Sequence, residues 1–141
     1  MLTRTQTNGG GFALWTSDGS GGNYRTSDET YHKAWSEWIA EVGPIIAKNQ
    51  ITNGGPVILT QVENELTESK YDPNNTLVIY MEQIKKAFKD AGLIVPTTHN
   101  EKGFRGKSWS TDYNNVGGAV DIYGLDSYAG KFGLSFVVDD G

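Results

Sequence analysis

Two carboxylates and an amide at the end of one apolar segment are the residues of this chain best suited to chemistry. Val57–Val62 is a short, β-branched apolar run, and Glu63, Asn64 and Glu65 follow it directly. Such a run is typical of a strand that is covered on both faces in a parallel sheet. Where such a strand meets its loop, Glu65 can act as a general acid if it is protonated when the substrate arrives. The segment therefore predicts acid–base chemistry at a strand end.

The neighbours of Glu65 suggest a carbohydrate substrate, although other interpretations stay open. Asn64 can donate a hydrogen bond to a sugar hydroxyl and accept one from it. Glu63 either adds a second negative charge to the site or pairs with a basic neighbour. Glycoside cleavage with retention of configuration needs a second carboxylate about 5 Å from the acid. The alternative is that both glutamates are ordinary solvated charges at a strand end.

The segment before this strand is predicted to form a long helix. Thr26–Glu29 has the pattern of a capping box, in which a Thr hydroxyl and a Glu three residues later satisfy free backbone donors. Apolar residues recur behind it at helical spacing as far as Ala47. Gly43-Pro44 predicts a kink or a break near Val42. Residues 1–26 are rich in glycine and turn residues, and we expect a loop region there.

Helices and strands alternate in the rest of the chain. A second amphipathic helix over Leu77–Ala91 is closed by Gly92 at the C-terminal cap position. Two further apolar runs predict strands at Leu93–Thr97 and Ala119–Tyr123. This order is typical of right-handed parallel crossover units, so the predicted class is α/β. We expect a partial (β/α)8 TIM barrel with about three or four of its eight strands, because a whole barrel needs roughly 250 residues.

Composition and charge argue against several other classes of function. The formal net charge is −5 and the basic residues form no cluster, which disfavours binding to nucleic acid or to an anionic membrane. No apolar run is long enough for a membrane span, and no signal peptide is visible at Met1. His32 and His99 lack the spacing of metal ligands, so we predict structural roles for them and no bound metal. No phosphate-binding fingerprint is present, and no cofactor is expected.

The aromatic residues divide into core candidates and site candidates. Trp35 and Trp38 share the apolar stripe of the first helix and are predicted to lie in the core. Trp15 and Trp109 lie in predicted loops and are the candidates for stacking against a sugar ring. His99, together with the asparagine after it, is placed at the end of a predicted strand, where it can line a cleft.

Several stretches of the chain resemble one family of enzymes. In chain order they are Arg25–Tyr31, Ala47–Leu59 with Gln61–Glu65, and Gly118–Tyr128. They are similar to fungal β-galactosidases of glycoside hydrolase family 35, and the resemblance runs through most of residues 8–128. It implies a retaining enzyme that removes terminal β-D-galactose through a covalent intermediate. We expect the β/α units over residues 27–128 and a divergent tail over residues 129–141.

The resemblance also assigns roles to individual residues. Glu65 matches the proton donor of the family, Asn64 the galactose-binding asparagine beside it, and Tyr128 a galactose-contacting tyrosine. The family's sugar-contacting Asn-Ala-Glu is replaced here by Arg4-Thr5-Gln6. The resemblance puts the nucleophilic Glu beyond Gly141, on a later strand.

Two expectations follow for the chain as a whole. One is that it is part of the barrel of a secreted full-length enzyme and is inactive by itself, because no residue in it can be assigned as the nucleophile. The other is that it is a truncated, non-catalytic relative with at most weak galactose binding through Asn64 and Tyr128.

Overall fold

The computed structural model describes residues 14–66, 76–102, 109 and 117–126. Helices and strands follow one another in the predicted order within these ranges. They are α1 (Leu14–Ser17), α2 (Glu29–Lys48), a 3₁₀ helix (Ile51–Asn53), β1 (Thr60–Asn64), α3 (Thr76–Asp90), β2 (Thr97–Lys102) and β3 (Ile122–Asp126). Helix α1 falls in the region that was predicted to be loop.

The three strands form one parallel sheet in the order β1-β2-β3. Helix α3 connects β1 to β2, as a parallel pair requires, because the chain must cross back before it can run in the same direction. The predicted α/β class is confirmed. In the part of the chain that the structure describes, neither long helix is apolar enough over its length to cross a membrane.

Each strand begins later than its apolar run predicts. The ladder starts at Thr60, Thr97 and Ile122, three or four residues after the predicted starts at Val57, Leu93 and Ala119. Some of the displaced apolar residues still pack, since Leu93, Val95 and Val120 are 6%, 7% and 2% exposed, whereas Ile58 and Ile94 are 57% and 70% exposed. The apolar runs therefore mark where the chain enters the core, and the hydrogen-bonded ladder is made by the more polar residues that follow.

Helix α2 differs from its prediction at its start and at its centre. Asp28 is the N-cap, and its carboxylate accepts hydrogen bonds from the main-chain N–H groups of Thr30 and Tyr31. Thr26 instead donates its hydroxyl to the Asn23 carbonyl, so the capping box was wrong by two residues. A kink or a break was predicted near Val42; the break does not occur, because the helix continues through Pro44 to Lys48, and the kink stays a prediction.

The core lies between the helices and one face of the sheet. The buried residues of α2 recur at intervals of four: Tyr31, Trp35, Ile39, Gly43 and Ala47. They form one face of the helix. Trp38 lies off this face and is 48% exposed, so its assignment to the core was wrong.

A β-bulge in β1 decides which side chains share a face of the sheet. Gln61 pairs with Thr98 and Glu63 pairs with His99, so two residues of β1 span a single step of β2. Because successive residues of β2 point to opposite faces, Gln61 and Glu63 do so too. Glu63 lies on the face that α3 covers, where it meets Tyr80.

Candidate active site at the end of strand β1

Glu65 follows the last residue of β1, at the carboxyl edge of the parallel sheet. Its side chain is half-buried, and its main-chain N–H donates a hydrogen bond to the Asn100 carbonyl at 2.9 Å. Its φ of 54° lies in the left-handed region, which costs a residue with a Cβ about 1–2 kcal/mol. Such conformations persist only where the surroundings impose them, and they cluster at functional sites. The predicted acid thus lies where the active sites of parallel α/β folds are usually found.

Asn64, the last residue of β1, is exposed and belongs to a small network of amides. The Gln61 side-chain nitrogen donates to Asn64 Oδ1 at 3.2 Å and to Asn100 Oδ1 at 2.6 Å. Because Gln61 engages the oxygen of the Asn64 amide, the Nδ2 group is the end that points away from Gln61. This orientation suits donation to a hydroxyl group of a ligand.

Glu63 pairs with a basic neighbour, which settles the choice that the sequence left open. Arg25 Nε and Nη2 donate to its two carboxylate oxygens at 2.8 and 2.7 Å, a bidentate ion pair. The Tyr80 hydroxyl adds a third hydrogen bond at 3.1 Å. Glu63 is 6% exposed, so it is neither a solvated charge nor open to a substrate. It is a buried carboxylate beneath the strand end.

The groups around Glu63 keep fixed protonation states. Burial lowers the pKa of the Arg25 guanidinium, but the hydrogen bond and charge of Glu63 outweigh this and raise it above its ordinary value. Burial raises the pKa of Tyr80 far above its ordinary value, and the negative charge of Glu63 raises it further. Arg25 therefore stays a cationic donor to Glu63, and Tyr80 stays a neutral one.

His99 lies under the strand end and not in a cleft. It is within β2, fully buried, and its two ring nitrogens face the carbonyl oxygens of Glu63 and Leu66 at 3.0 and 3.1 Å. Its ring therefore lies between the carbonyl groups on the two sides of Asn64-Glu65, and a neutral imidazole donates to one of them. The prediction of a structural role is correct, and the prediction that it lines a cleft was wrong.

The two tryptophans proposed as sugar platforms have other contacts. Trp109 is 1% exposed, and its indole N–H donates to the Leu66 carbonyl at 2.7 Å, so it cannot stack on a ligand and the prediction was wrong. Trp15 lies in α1 and packs against Tyr24 and Tyr31, with ring centroids 6.2 and 6.3 Å away. Trp15 remains only partly buried.

Tyr128, residues 4–6 and the tail 129–141 lie outside the described residues, so their predicted roles stay predictions. Strand β3 ends at Asp126, at the same carboxyl edge as Glu65. Within the described ranges, no three His, Asp or Glu side chains come together as a metal site.

Arg25 and Tyr80 are the functional residues that the sequence alone did not reveal. Arg25 lies 38 residues from Glu63 along the chain, and Tyr80 lies 17 residues away. Tyr80 is indistinguishable from the other core positions of an amphipathic stripe. The only available signal was that a Glu at the end of a buried strand requires a cationic partner.

Comparison with known proteins identifies the family. The family model "Glycosyl hydrolases family 35" matches residues 3–132, and the chain belongs to this family. Among similar curated proteins, the "Probable beta-galactosidase C" of Neosartorya fischeri is 69% identical over 130 residues. Those of Aspergillus flavus and Sclerotinia sclerotiorum are 67% identical over 126 residues and 62% identical over 130.

The alignments cover most of this chain but little of each relative. They span 92%, 89% and 92% of the chain in the same order, and 13% of each relative. The chain therefore spans about 13% of the length of the curated relatives that it matches.

Proposed function

We propose that this chain forms the acid–base part of the catalytic barrel of a retaining β-galactosidase, with Glu65 as the proton donor. The observation that carries the proposal is the position of Glu65, half-buried and in the left-handed region at the carboxyl end of a parallel strand. Membership of family 35 and the names of the relatives support a β-galactoside as the substrate class. The three parallel strands are consistent with part of a barrel that further strands would close.

In the proposed reaction Glu65 acts twice. First it protonates the departing glycosidic oxygen while a nucleophilic carboxylate from another strand bonds to the anomeric carbon. The resulting Glu65 carboxylate then takes a proton from the water that hydrolyses the galactosyl-enzyme, which restores both groups. Asn64 donates to a sugar hydroxyl beside the reacting carbon, and Tyr128 contacts galactose.

The contacts of Glu63 support the choice of Glu65 as the acid. Both carboxylate oxygens of Glu63 are taken up by hydrogen bonds from Arg25 and Tyr80, and the group is buried on the helix-covered side of the sheet. Glu65 has no such ion pair among the described residues and lies two residues further, past the strand end. The resemblance to fungal enzymes further favours an extracellular location, which is part of the proposal.

The test is a hybrid enzyme, in which residues 8–128 of this chain replace the matching segment of the Neosartorya fischeri relative. The relative keeps its own residues at the position of Arg4-Thr5-Gln6. We expect the hybrid to hydrolyse β-galactosides. Glu65→Gln should lower kcat/KM on a phenyl galactoside by about 10²–10⁴-fold, and it should have little effect on a dinitrophenyl galactoside, whose leaving group needs no proton. The kcat for the dinitrophenyl substrate should still fall, because hydrolysis of the intermediate loses its general base. Azide should restore this kcat and yield β-galactosyl azide, since azide attacks the intermediate without a general base.

The matched control is Glu41→Gln, the same change on the exposed face of α2. This variant should leave kcat/KM unchanged on both substrates. If Glu65→Gln keeps its kcat/KM on the phenyl galactoside, or if its kcat/KM falls equally on both substrates, Glu65 is not the proton donor.

A further inference from the structure

The turn that carries Glu65 is fixed through its main chain. On the β2 side, Glu65 N–H donates to the Asn100 carbonyl, and His99 faces the carbonyl oxygens of Glu63 and Leu66. These contacts lie on both flanks of the turn. The remaining polar groups of its two central peptide units, the N–H and the carbonyl of Asn64, are bound elsewhere.

One ion pair holds both polar main-chain groups of Asn64. Arg25 Nη2, which binds Glu63, also donates to the Asn64 carbonyl oxygen at 2.8 Å. The Asn64 N–H in turn donates to Glu63 Oε2. The Glu63 side chain is 8% exposed and that of Arg25 is 43% exposed. The pair therefore lies at the boundary between the core and the strand end, directly behind Asn64.

The geometry of Arg25 suits this task in a way that a simple positive charge would not. Its guanidinium makes three hydrogen bonds, two to Glu63 and one to the Asn64 carbonyl, which requires a planar group with several donors. Arg25 itself has a φ of 58°, so its backbone is also in the left-handed region. Its position just before α2 connects the start of that helix to the end of β1.

We propose that Arg25 and Glu63 are positioning residues for the acid–base step, an inference that rests on the proposed function. Together with the hydrogen bond from Glu65 N–H to the Asn100 carbonyl, their ion pair fixes the peptide plane between Asn64 and Glu65. This plane sets the direction in which the Glu65 side chain leaves the strand. Proton transfer requires the acid within hydrogen-bond reach of the departing oxygen, and a misplacement of about 1 Å costs roughly 100-fold in rate. Neither residue touches the substrate.

The test uses Arg25→Lys in the hybrid enzyme. Lys keeps the positive charge beside Glu63, so the buried carboxylate stays paired, but it cannot make the same three hydrogen bonds. For a phenyl galactoside we expect kcat/KM to fall by about 10–100-fold, and for a dinitrophenyl galactoside by no more than about threefold. The two substrates differ because kcat/KM reports the formation of the galactosyl-enzyme. This step needs a proton from Glu65 only when the leaving group is poor.

Glu63→Gln is the second variant, because it keeps the shape of the side chain and removes its charge. It should show the same dependence on the leaving group. The matched control is Ile39→Val, a core change on the buried face of α2 at a residue that makes none of the hydrogen bonds of the ion pair. A purely structural loss, as in this control, lowers the folded fraction and so reduces activity on both substrates by the same factor.

The outcomes separate this inference from the proposed function. The positioning role is overturned if Arg25→Lys and Glu63→Gln lose kcat/KM equally on both substrates, or lose none. The proposed function still stands in that case, provided that Glu65→Gln depends on the leaving group. If Glu65→Gln shows no such dependence, the proposed function fails, and the positioning role fails with it.

Discussion

Removing one hydroxyl group from Tyr80 measures how strongly the buried carboxylate depends on its third donor. Tyr80 is 2% exposed, and its hydroxyl donates to Glu63 Oε1 at 3.1 Å. In Tyr80→Phe the ring stays and this oxygen retains Arg25 Nε as a partner. A hydrogen bond to a charged group contributes about 1.5–3 kcal/mol to stability. We expect a loss in the free energy of unfolding near the lower end of this range, because the ion pair remains.

Tyr31→Phe is the matched control for this change. The Tyr31 hydroxyl lies 3.5 Å from that of Tyr80, which is at the limit for a hydrogen bond, and the two rings are 5.7 Å apart. The same chemical change in the same cluster should therefore cost less than about 1 kcal/mol. The Tyr31 hydroxyl also has a hydrogen bond with the Arg25 main chain. The difference between the variants therefore compares the bond to the charged Glu63 with one to a neutral main-chain group.

Thermal unfolding followed by circular dichroism at neutral pH measures both losses. For a chain of this size, 1 kcal/mol shifts Tm by about 4 °C. Tyr80→Phe should thus lower Tm by about 6 °C and Tyr31→Phe by less than about 4 °C. In a Glu63→Gln background the effect of Tyr80→Phe should shrink to that of a neutral hydrogen bond. The reasoning is wrong if the two Tyr→Phe variants unfold at the same temperature, or if the Glu63→Gln background changes nothing.

Three further outcomes are expected. Gly43→Ala should destabilise the chain despite the better helix propensity of Ala, because the added Cβ would lie 2.5 Å from the Cβ of Ala91; Ala91→Gly in the same chain should restore the urea midpoint. Hydrogen bonds from the Thr97 hydroxyl and N–H lower the pKa of Asp121 below its usual 3.8. These bonds stabilise the fold above pH 3.8 and cease to do so as the pH falls through the lowered pKa. Asp121→Asn should therefore reduce the urea midpoint at pH about 6 and not at pH about 2. The 141-residue chain alone should show no turnover of a chromogenic galactoside, since no carboxylate in it is assigned as the nucleophile. Turnover that Glu65→Gln abolishes would contradict this. Millimolar galactose binding that is lost in Tyr128→Ala would favour the non-catalytic relative.

The sequence predicted the parts of the site that depend on local pattern. The polar residues that follow Val57–Val62 define a strand end, and Glu65 lies there because a parallel strand needs a loop after it. The helix that ends before Gly92 was also correct, since that glycine has a φ of 94°, which suits a helix terminus. These features depend on neighbours along the chain and can be read without a three-dimensional arrangement.

What the sequence did not predict depends on contacts between distant segments. The role of Arg25 is defined by a carboxylate 38 residues away, and no local pattern announces it. Trp109 was assigned to a loop surface because its neighbours are polar. Its indole is instead buried, and the indole N–H donates a hydrogen bond to the Leu66 carbonyl. The start of each ladder was misplaced because hydrophobicity reports burial, whereas a strand begins where a neighbouring strand supplies hydrogen bonds.

The bulge in β1 has a consequence for how substitutions along this strand will be tolerated. In a regular strand, odd and even positions have opposite preferences throughout. Here the phase changes at Val62, the extra residue, so Gln61 and Asn64 face the same environment although three positions separate them. In a substitution scan of this strand, the alternation between positions that tolerate polar residues and positions that do not will reverse between Gln61 and Glu63. An alignment that ignores this shift will assign the polar requirement to the wrong residue.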